Sequence, residues 1–237
     1  AVQAAGVAIA DILRNAHCEL GYTICTDMNE DDSANWNRAD GWANESPFNN
    51  GWRAENITFR DGVMITELND VGCPDECSER PYASGEYRSD ELFGYGFLEA
   101  RMRAARHDGI VGGSLFFYHD NPWHEIDIEF LGQDTTQMQT NYKTDGVGGH
   151  ETLIDLGFDA SEDFHTYGIA RRGRGIVWYV DGEPVHTENG SRGPLPSLPG
   201  CIKMNMWPGI GVDEWLGPFS YDGPIQSEVD WVRYSEF

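Results

Sequence analysis

Short runs in which polar and apolar residues alternate follow one another from about residue 63, with Gly, Asp, Asn or Pro between them. Side chains two positions apart lie on the same face of a β-strand, so this alternation predicts strands with one buried face. Strands are predicted over 63–66, 95–102, 114–118, 125–130, 137–142, 152–156, 164–170, 176–180, 185–187, 201–207 and 228–234. Asp181-Gly182, between two of these runs, predicts a tight hairpin.

The first third of the chain is interpreted as irregular, because it is rich in Asn, Asp and Gly. No segment after residue 20 has a sustained helical period, which predicts an all-β fold, most simply a sandwich of two sheets. Residues 1–14 fit either a short helix or the remainder of a targeting segment. We therefore expect an N-terminal extension of uncertain role over 1–20 and a single domain over 21–237.

The run 124–131, His-Glu-Ile-Asp-Ile-Glu-Phe-Leu, is the most informative segment. In a strand, Glu125, Asp127 and Glu129 share one face, and the isoleucines and Phe130 share the other. Carboxylates this close raise each other's pKa and reduce stability, so a chain that keeps the row is expected to use it. Two carboxyls of unlike protonation are what cleavage of a glycosidic bond requires.

Three other interpretations of this acid row stay open: an exposed strand face, a helix, and a site for a divalent metal ion. The β-branched residues favour a strand over a helix. Carboxylate oxygens are ligands for hard cations. Trp123 lies two residues before Glu125 and in phase with the acids, so it would place an aromatic ring beside them. Sugars stack on such rings, which favours a catalytic carbohydrate site.

Charge and length limit the classes of partner. The 237 residues include 40 acids and 16 Lys and Arg, giving a net charge of −24, and only Lys143 and Lys203 are lysines. Phosphate binding requires basic patches, so nucleic acid and anionic membranes are poor partners. A neutral polysaccharide fits better. The acidic, lysine-poor composition also suggests adaptation to salt, where repulsion between like charges is screened.

The five cysteines predict two local disulfides, Cys18–Cys25 and Cys73–Cys77, and a free Cys201. Zinc is the weaker interpretation, because the spacings are not those of zinc ligands and no histidine pair accompanies them. Three Asn-x-Ser/Thr triplets also occur, and together these features are typical of a secreted protein.

The tryptophans divide into two groups by their sequence neighbours. Trp52, Trp178 and Trp231 are assigned to the core, where most large aromatic side chains lie. The remaining candidates adjoin Asn, Gly, Pro or acids and are expected to be sugar platforms: Trp42, Trp123, Trp207 and Trp215.

Beyond the acid row, residues 36–237 resemble, in the same order along the chain, the bacterial lichenases, which are endo-β-1,3-1,4-glucanases of glycoside hydrolase family 16. The resemblance rests on Trp52-Arg53-Ala54-Glu55-Asn56, Gly85-Glu86-Tyr87-Arg88-Ser89, Trp178-Tyr179-Val180-Asp181-Gly182, Met204-Asn205-Met206-Trp207 and the segments 130–136, 141–151, 156–161, 164–167 and 215–217. It implies a β-jelly-roll sandwich of two antiparallel sheets with a concave substrate cleft, in an endo-acting, retaining enzyme that uses no organic cofactor.

By position, the resemblance implies that Glu125 is the nucleophile, that Glu129 is the general acid/base and that Asp127 assists both. It implies substrate contacts at Trp42, Asn44, Glu86, Arg88, Trp123, Asn141, Asn205 and Trp207. It also implies a structural Ca²⁺ held by Asp230 and backbone near Gly62. The expected partner is a β-glucan, and a monomer is expected.

The chain departs from the lichenases in three ways. Asn50 and Ser84 stand where those enzymes carry a disulfide, Lys143 and Trp42 stand where they carry tyrosines, and 112–121 cannot be aligned residue by residue. These departures concern fine specificity. Hydrolysis or transglycosylation of xyloglucan is the alternative within the family. A sandwich that binds carbohydrate without catalysis is the alternative outside it, and the intact acid row argues against that.

Overall fold

The structure, a computed structural model, describes residue 18, residues 21–73, residue 77 and residues 79–237. The predictions for 1–20 lie outside these residues, apart from Cys18. The described chain contains a 3-10 helix at Ala54–Asn56, a short α-helix at Asp213–Leu216 and eighteen strands. The strands are β1 (Ile24–Thr26), β2 (Trp36–Arg38), β3 (Trp42–Ala43), β4 (Asn50–Trp52), β5 (Ile57–Arg60), β6 (Val63–Leu68), β7 (Tyr82–Ser84), β8 (Glu86–Ser89), β9 (Gly96–Arg103), β10 (Ile110–His119), β11 (His124–Leu131), β12 (Gln137–Lys143), β13 (Thr152–Asp155), β14 (His165–Arg172), β15 (Gly175–Val180), β16 (Glu183–Glu188), β17 (Cys201–Pro208) and β18 (Ile225–Glu236).

Two large antiparallel sheets form the sandwich. One has the strand order β16-β15-β14-β9-β18-β6-β5, with β1 also paired to β18. The other has the order β13-β12-β11-β10-β17-β8-β2 and is called the cleft sheet below. The chain crosses between the sheets repeatedly, since β8 and β10 lie in the cleft sheet and β9 lies in its partner. The all-β jelly-roll prediction is confirmed.

The alternation of side chains divides the cleft sheet into a core face and an outer face. Ile126, Ile128 and Phe130 of β11 are buried in the cluster between the sheets, where they are joined by Trp178 and Tyr167 from the facing sheet. Removing such apolar area from water is the main source of stability. Glu125, Asp127 and Glu129 occupy the alternate positions of β11 and point away from this core, so the acid row lies on the outer face.

The first third of the chain is more ordered than its composition indicates, and the prediction that it is irregular is wrong. It contains β1 to β5, and two further unpredicted strands, β7 and β8, follow before residue 90. These strands have two to four residues, and some of them pair with partners far along the chain, as when β8 pairs with β17. A strand that short shows too few alternating positions to give a clear pattern.

The predicted hairpin and disulfides are confirmed. Asp181 has φ 49° and Gly182 has φ 82°, so both adopt the left-handed conformation that a two-residue turn requires between β15 and β16. Cys18 is bonded to Cys25 and Cys73 to Cys77, and Cys201 is free.

Candidate active site

The acid row lies at the floor of a cleft on the outer face of the cleft sheet. Glu125, Asp127 and Glu129 project from β11, which lies between β10 and β12. The backbone is fixed from behind, because the indole Nε1 of Trp178 donates to the carbonyl oxygen of Asp127 at 3.0 Å. The row therefore rests on a central strand rather than on a loop.

The strand register surrounds the row with a regular set of polar and aromatic neighbours. On β12, Lys143 lies opposite Glu125, Asn141 opposite Asp127 and Gln139 opposite Glu129. On β10, the residues opposite the three acids, in the same order, are Tyr118, Phe116 and Ser114.

Both carboxylate oxygens of Glu125 accept hydrogen bonds. The Lys143 ammonium donates to Oε1 at 3.1 Å, and the Trp123 indole Nε1 donates to Oε2 at 3.1 Å. The same ammonium lies 4.0 Å from the centre of the Trp123 ring. Charge-assisted bonds of this kind favour the ionised form of a carboxyl. The two donors thus hold the Glu125 carboxyl in a fixed position beside a cation.

Asp127 is the most enclosed of the three acids, with 3% of its surface exposed. Burial, followed by the charges of Glu129 and Glu125, raises the pKa of Asp127 well above its usual range. Among the residues that the structure describes, none forms a hydrogen bond with its buried Oδ1 or with the buried Oδ1 of Asn141 directly opposite. A neutral, protonated Asp127 fits this environment, since it adds no third negative charge.

Glu129 is adjusted to act as an acid near neutral pH. Burial and the charge of Glu125 raise its pKa to about 7, although the Lys143 charge and a hydrogen bond from Gln139 act in the opposite direction. Gln139 Nε2 donates to Glu129 Oε2 at 3.0 Å, and Gln139 Oε1 accepts from the indole of Trp215 at 3.1 Å. Glu129 therefore holds a proton at mildly acidic pH, where Glu125 is paired with a cation.

A second polar group lies across β10 from the acids, on β8 and β17. Asn205 Nδ2 donates to Glu86 Oε2 at 3.0 Å, and Ser114 Oγ donates to Asn205 Oδ1 at 2.6 Å. Lys203 Nζ lies 3.3 Å from Glu86 Oε1. Glu86 is 2% exposed. Its carboxylate is thus already paired, which suits it to hold Asn205 and Lys203 in place as well as to face a ligand.

Aromatic rings form one wall of the cleft. Phe48 contacts Trp207 with ring centres 4.1 Å apart, and Trp215 lies 5.8 Å from Trp207. Trp42 lies 6.1 Å from Trp52, whose indole donates to Asn44 Oδ1 at 2.6 Å. The core assignments of Trp52, Trp178 and Trp231 agree with their burial.

The cleft has a volume of about 1560 Å³ and is large enough for several sugar rings. Its lining contains the three acids and all eight residues that the resemblance implies for substrate contact: Trp42, Asn44, Glu86, Arg88, Trp123, Asn141, Asn205 and Trp207. The structure therefore brings all eleven candidate residues together in one cleft.

Several lining residues were not identified from the sequence. Lys203, Gln139 and the β10 residues Ser114, Phe116 and Tyr118 all face the cleft. Each occupies an alternate position of its strand, so alternation alone separates the residues of the outer face from those of the core face. What the sequence lacked was the pairing of β10 with β11 and β17, which shows that this face adjoins the acids.

The carboxylate implied for the calcium site, that of Asp230, is already paired with an arginine. Arg101 Nη1 donates to Asp230 Oδ2 at 2.5 Å, so a cation would share that carboxylate with a guanidinium. Among the described residues no cluster of three or more His, Cys, Asp or Glu is arranged to hold a metal ion. The calcium site at Asp230 and Gly62 stays a prediction, and no step below uses a metal.

Comparison with known proteins places this geometry in a family. The model for glycosyl hydrolases family 16 matches residues 44–233. The chain belongs to glycosyl hydrolases family 16. The recognition made from the sequence is thereby confirmed, and the family 16 enzymes need no cofactor for catalysis.

Individual relatives of this family 16 chain are similar over most of its length. A β-glucanase of Acetivibrio thermocellus is 51% identical over 208 residues, which cover 86% of this chain and 59% of the relative. A β-glucanase of Bacillus subtilis is 41% identical over 230 residues, which cover 95% of this chain and 91% of the relative. The chain thus spans less than two thirds of the Acetivibrio proteins it matches, and most of the Bacillus one.

Solved structures show the same fold. The crystal structure of a prokaryotic β-1,3-1,4-glucanase (lichenase) from a mouse hindgut metagenome superimposes with a TM-score of 0.85 at 44% identity, covering 90% of this chain and 99% of that one. The β-glucanase of Bacillus licheniformis gives 0.84 at 41% identity, covering 92% and 100%.

Proposed function

We propose that this family 16 chain is an endo-acting, retaining glycoside hydrolase that cleaves β-1,4 bonds in mixed-linkage β-1,3-1,4-glucan by double displacement. The observation that carries the proposal is that two carboxyls on one strand face have different electrostatic surroundings. Glu125 is paired with an ammonium, whereas burial and the charge of Glu125 raise the pKa of Glu129 to about 7. The names β-glucanase and lichenase of the relatives support the choice of substrate.

In the first step, Glu125 attacks the anomeric carbon and the bond from that carbon to the leaving oxygen breaks. The proton of Glu129 passes to that oxygen, so the shorter glucan leaves as an alcohol. Asp127, neutral beside both groups, limits the negative charge in the row while Glu129 loses its proton. The product of this step is an ester between the sugar and Glu125.

In the second step, Glu129 is ionised and accepts a proton from water. The water oxygen attacks the anomeric carbon, and the electron pair of the broken ester bond returns to Glu125. The row is then in its starting state, with Glu129 protonated and Glu125 anionic. Two inversions at the same carbon retain its configuration.

We assign substrate binding to the polar group and the aromatic wall beside the acids. Trp42 is only partly buried and offers a ring on which a pyranose can stack. Trp207 is packed against Phe48 and Trp215 and offers the cleft only the small part of its ring that stays exposed. Asn141, Asn205 and Asn44 offer amides that suit sugar hydroxyls. Arg88 Nε donates to Asn37 Oδ1 at 2.6 Å, and the guanidinium carbon lies 5.9 Å from the centre of the Trp42 ring. Glu86 would bind sugar through the network that it shares with Asn205.

The substrate is tested by product analysis on barley mixed-linkage glucan beside xyloglucan, laminarin and carboxymethylcellulose. The proposal predicts short oligosaccharides from the mixed-linkage glucan alone. Activity on xyloglucan instead would keep the mechanism and move the substrate to the alternative within the family. Binding without any cleavage would contradict the enzymatic proposal.

The roles of the acids are tested by removing them one at a time. Glu129→Ala is expected to lower turnover of the glucan by several orders of magnitude, because the leaving oxygen loses its proton donor. Added azide or formate is expected to restore part of the activity of Glu125→Ala or Glu129→Ala, since a small anion can attack where water is not activated. Unchanged turnover in Glu125→Gln and Glu129→Ala would refute the assignment.

We also propose that the protein is secreted and acts as a monomer, with 21–237 as a single catalytic domain. The two disulfides fit an oxidising compartment. In the described part of the chain no helix is long and apolar enough to cross a bilayer. Gel filtration with light scattering, and the oxidation state of Cys18 and Cys25 in protein recovered from the medium of the producing cells, test these points.

A further inference from the structure

The two lysines of the chain both line the cleft. In a protein with 40 acidic residues and a net charge of −24, Lys143 and Lys203 are the only ammonium side chains. Lys203 pairs with Glu86, away from the acid row, whereas Lys143 pairs with Glu125, the proposed nucleophile. The position of Lys143 thus links it to the reaction itself.

The contact between Lys143 and Glu125 is well defined. Their strands place the two residues directly opposite each other, and the ammonium lies 3.1 Å from Oε1. The Lys143 side chain is 24% exposed and that of Glu125 is 13% exposed, so the pair is partly shielded from water. The Trp123 indole beneath the ammonium donates to the other oxygen, which gives the carboxylate one orientation. An ion pair in such surroundings is stronger than one at the surface.

The charge of Glu125 changes during the proposed reaction. It is negative in the free enzyme, neutral as an ester in the intermediate, and negative again after hydrolysis. Lys143 therefore stabilises the carboxylate most at the beginning and at the end of the cycle. An interaction lowers a barrier only when it is stronger in the transition state than in the state before it.

We propose that Lys143 is a positioning residue that favours the second step, because its ammonium stabilises Glu125 as the group that leaves the sugar. This inference rests on the proposed double displacement. In the second step, negative charge grows on Glu125 as the ester bond breaks, and the ammonium lowers that barrier. In the first step the same charge is consumed, so Lys143 gives no such assistance there.

The consequence is a short-lived intermediate. Water and a second sugar hydroxyl both displace Glu125, so a better leaving group speeds either reaction. Lys143 thus shortens the life of the ester whichever nucleophile attacks it. The tyrosine implied at this position in the lichenases carries no charge at neutral pH, so this effect would distinguish this chain.

The test uses a β-glucan oligosaccharide with a 2,4-dinitrophenyl leaving group. With so good a leaving group the first step is fast, kcat measures the second step, and kcat/KM measures the first. In Lys143→Met, kcat is expected to fall about tenfold while kcat/KM is unchanged or higher, a difference that corresponds to about 1.4 kcal/mol in one barrier only. KM therefore falls with kcat, and the steady release of dinitrophenolate after the initial burst becomes slower while the burst keeps its rate.

Two variants separate charge from structure. Lys143→Arg keeps the cation and is expected to recover most of kcat. Lys203→Met removes the other cleft ammonium, which touches no reacting group, and is expected to act on KM without slowing the second step. Azide in the assay should raise kcat of Lys143→Met, because it attacks the accumulated intermediate.

Equal losses in kcat and kcat/KM in Lys143→Met, with no recovery in Lys143→Arg, would overturn the role of Lys143 and leave the proposed function intact. A wild-type protein that releases neither dinitrophenolate nor reducing sugar would instead refute the proposed function itself. The two failures are therefore distinguishable in the same set of assays.

Discussion

Replacing Glu129 with glutamine is expected to stabilise the protein at alkaline pH and to have little effect at acidic pH. Burial and the Glu125 charge raise the pKa of Glu129 from 4.5 to about 7. The folded state then holds a proton that the unfolded chain releases. This contribution to stability is fully present below pH 4.5 and is lost as the pH rises through 7.

The magnitude follows from the interval between the two pKa values. At about 1.4 kcal/mol for each pH unit, an increase from 4.5 to about 7 costs the wild type about 3 kcal/mol at pH 8. Glutamine is nearly isosteric, carries no charge and keeps an oxygen that can accept from Gln139. The free energy of unfolding of Glu129→Gln relative to wild type should therefore rise by about 3 kcal/mol between pH 4 and pH 8.

Urea unfolding of both proteins at pH 4 and pH 8 measures this difference, and the titration of groups remote from Glu129 cancels between the two proteins. Glu162→Gln, an exposed carboxyl away from the cleft, controls for the loss of one negative charge from an acidic protein. A Glu129→Gln effect that is the same at both pH values would refute the claim that the fold holds Glu129 protonated.

Three further predictions concern pH and salt. The wild-type kcat/KM should fall as the pH rises through about 7, where Glu129 loses its proton. This fall is the alkaline limb of the pH profile, and a midpoint outside pH 6–8 would contradict the prediction. Lys143→Met and Gln139→Leu should each move that limb to higher pH, because the Lys143 charge and the Gln139 hydrogen bond both lower the pKa of Glu129. With a net charge of −24, the free energy of unfolding in urea should increase from low to molar NaCl, and a flat dependence would exclude adaptation to salt.

The sequence predicted the long strands and the acid row because both depend on local alternation. Glu125, Asp127 and Glu129 are in phase over one strand, and the isoleucines between them mark the core face. The short strands β2 and β8 could not be found in this way. They owe their existence to pairing with each other and with β17, which lies more than a hundred residues away along the chain.

The site shows the same limit of sequence reasoning. The sequence marks Lys143 as one of two lysines and, through the resemblance, as a departure from a tyrosine, but nothing local predicts that it pairs with Glu125 rather than facing solvent. That contact follows from the register between β11 and β12. Gln139 and Lys203 were missed for the same reason, since each acquires its role from a neighbouring strand. The sequence also does not show that the Glu86 carboxylate, expected to bind sugar directly, is already paired with Asn205 and Lys203.

The most direct test of the proposed reaction is proton NMR of barley mixed-linkage glucan during hydrolysis by the wild-type protein. Double displacement at Glu125, with Glu129 as the acid and then the base, predicts that new reducing ends appear first as the β anomer and reach the α anomer only by later mutarotation. Initial appearance of the α anomer, or no new reducing ends at all, would contradict the account.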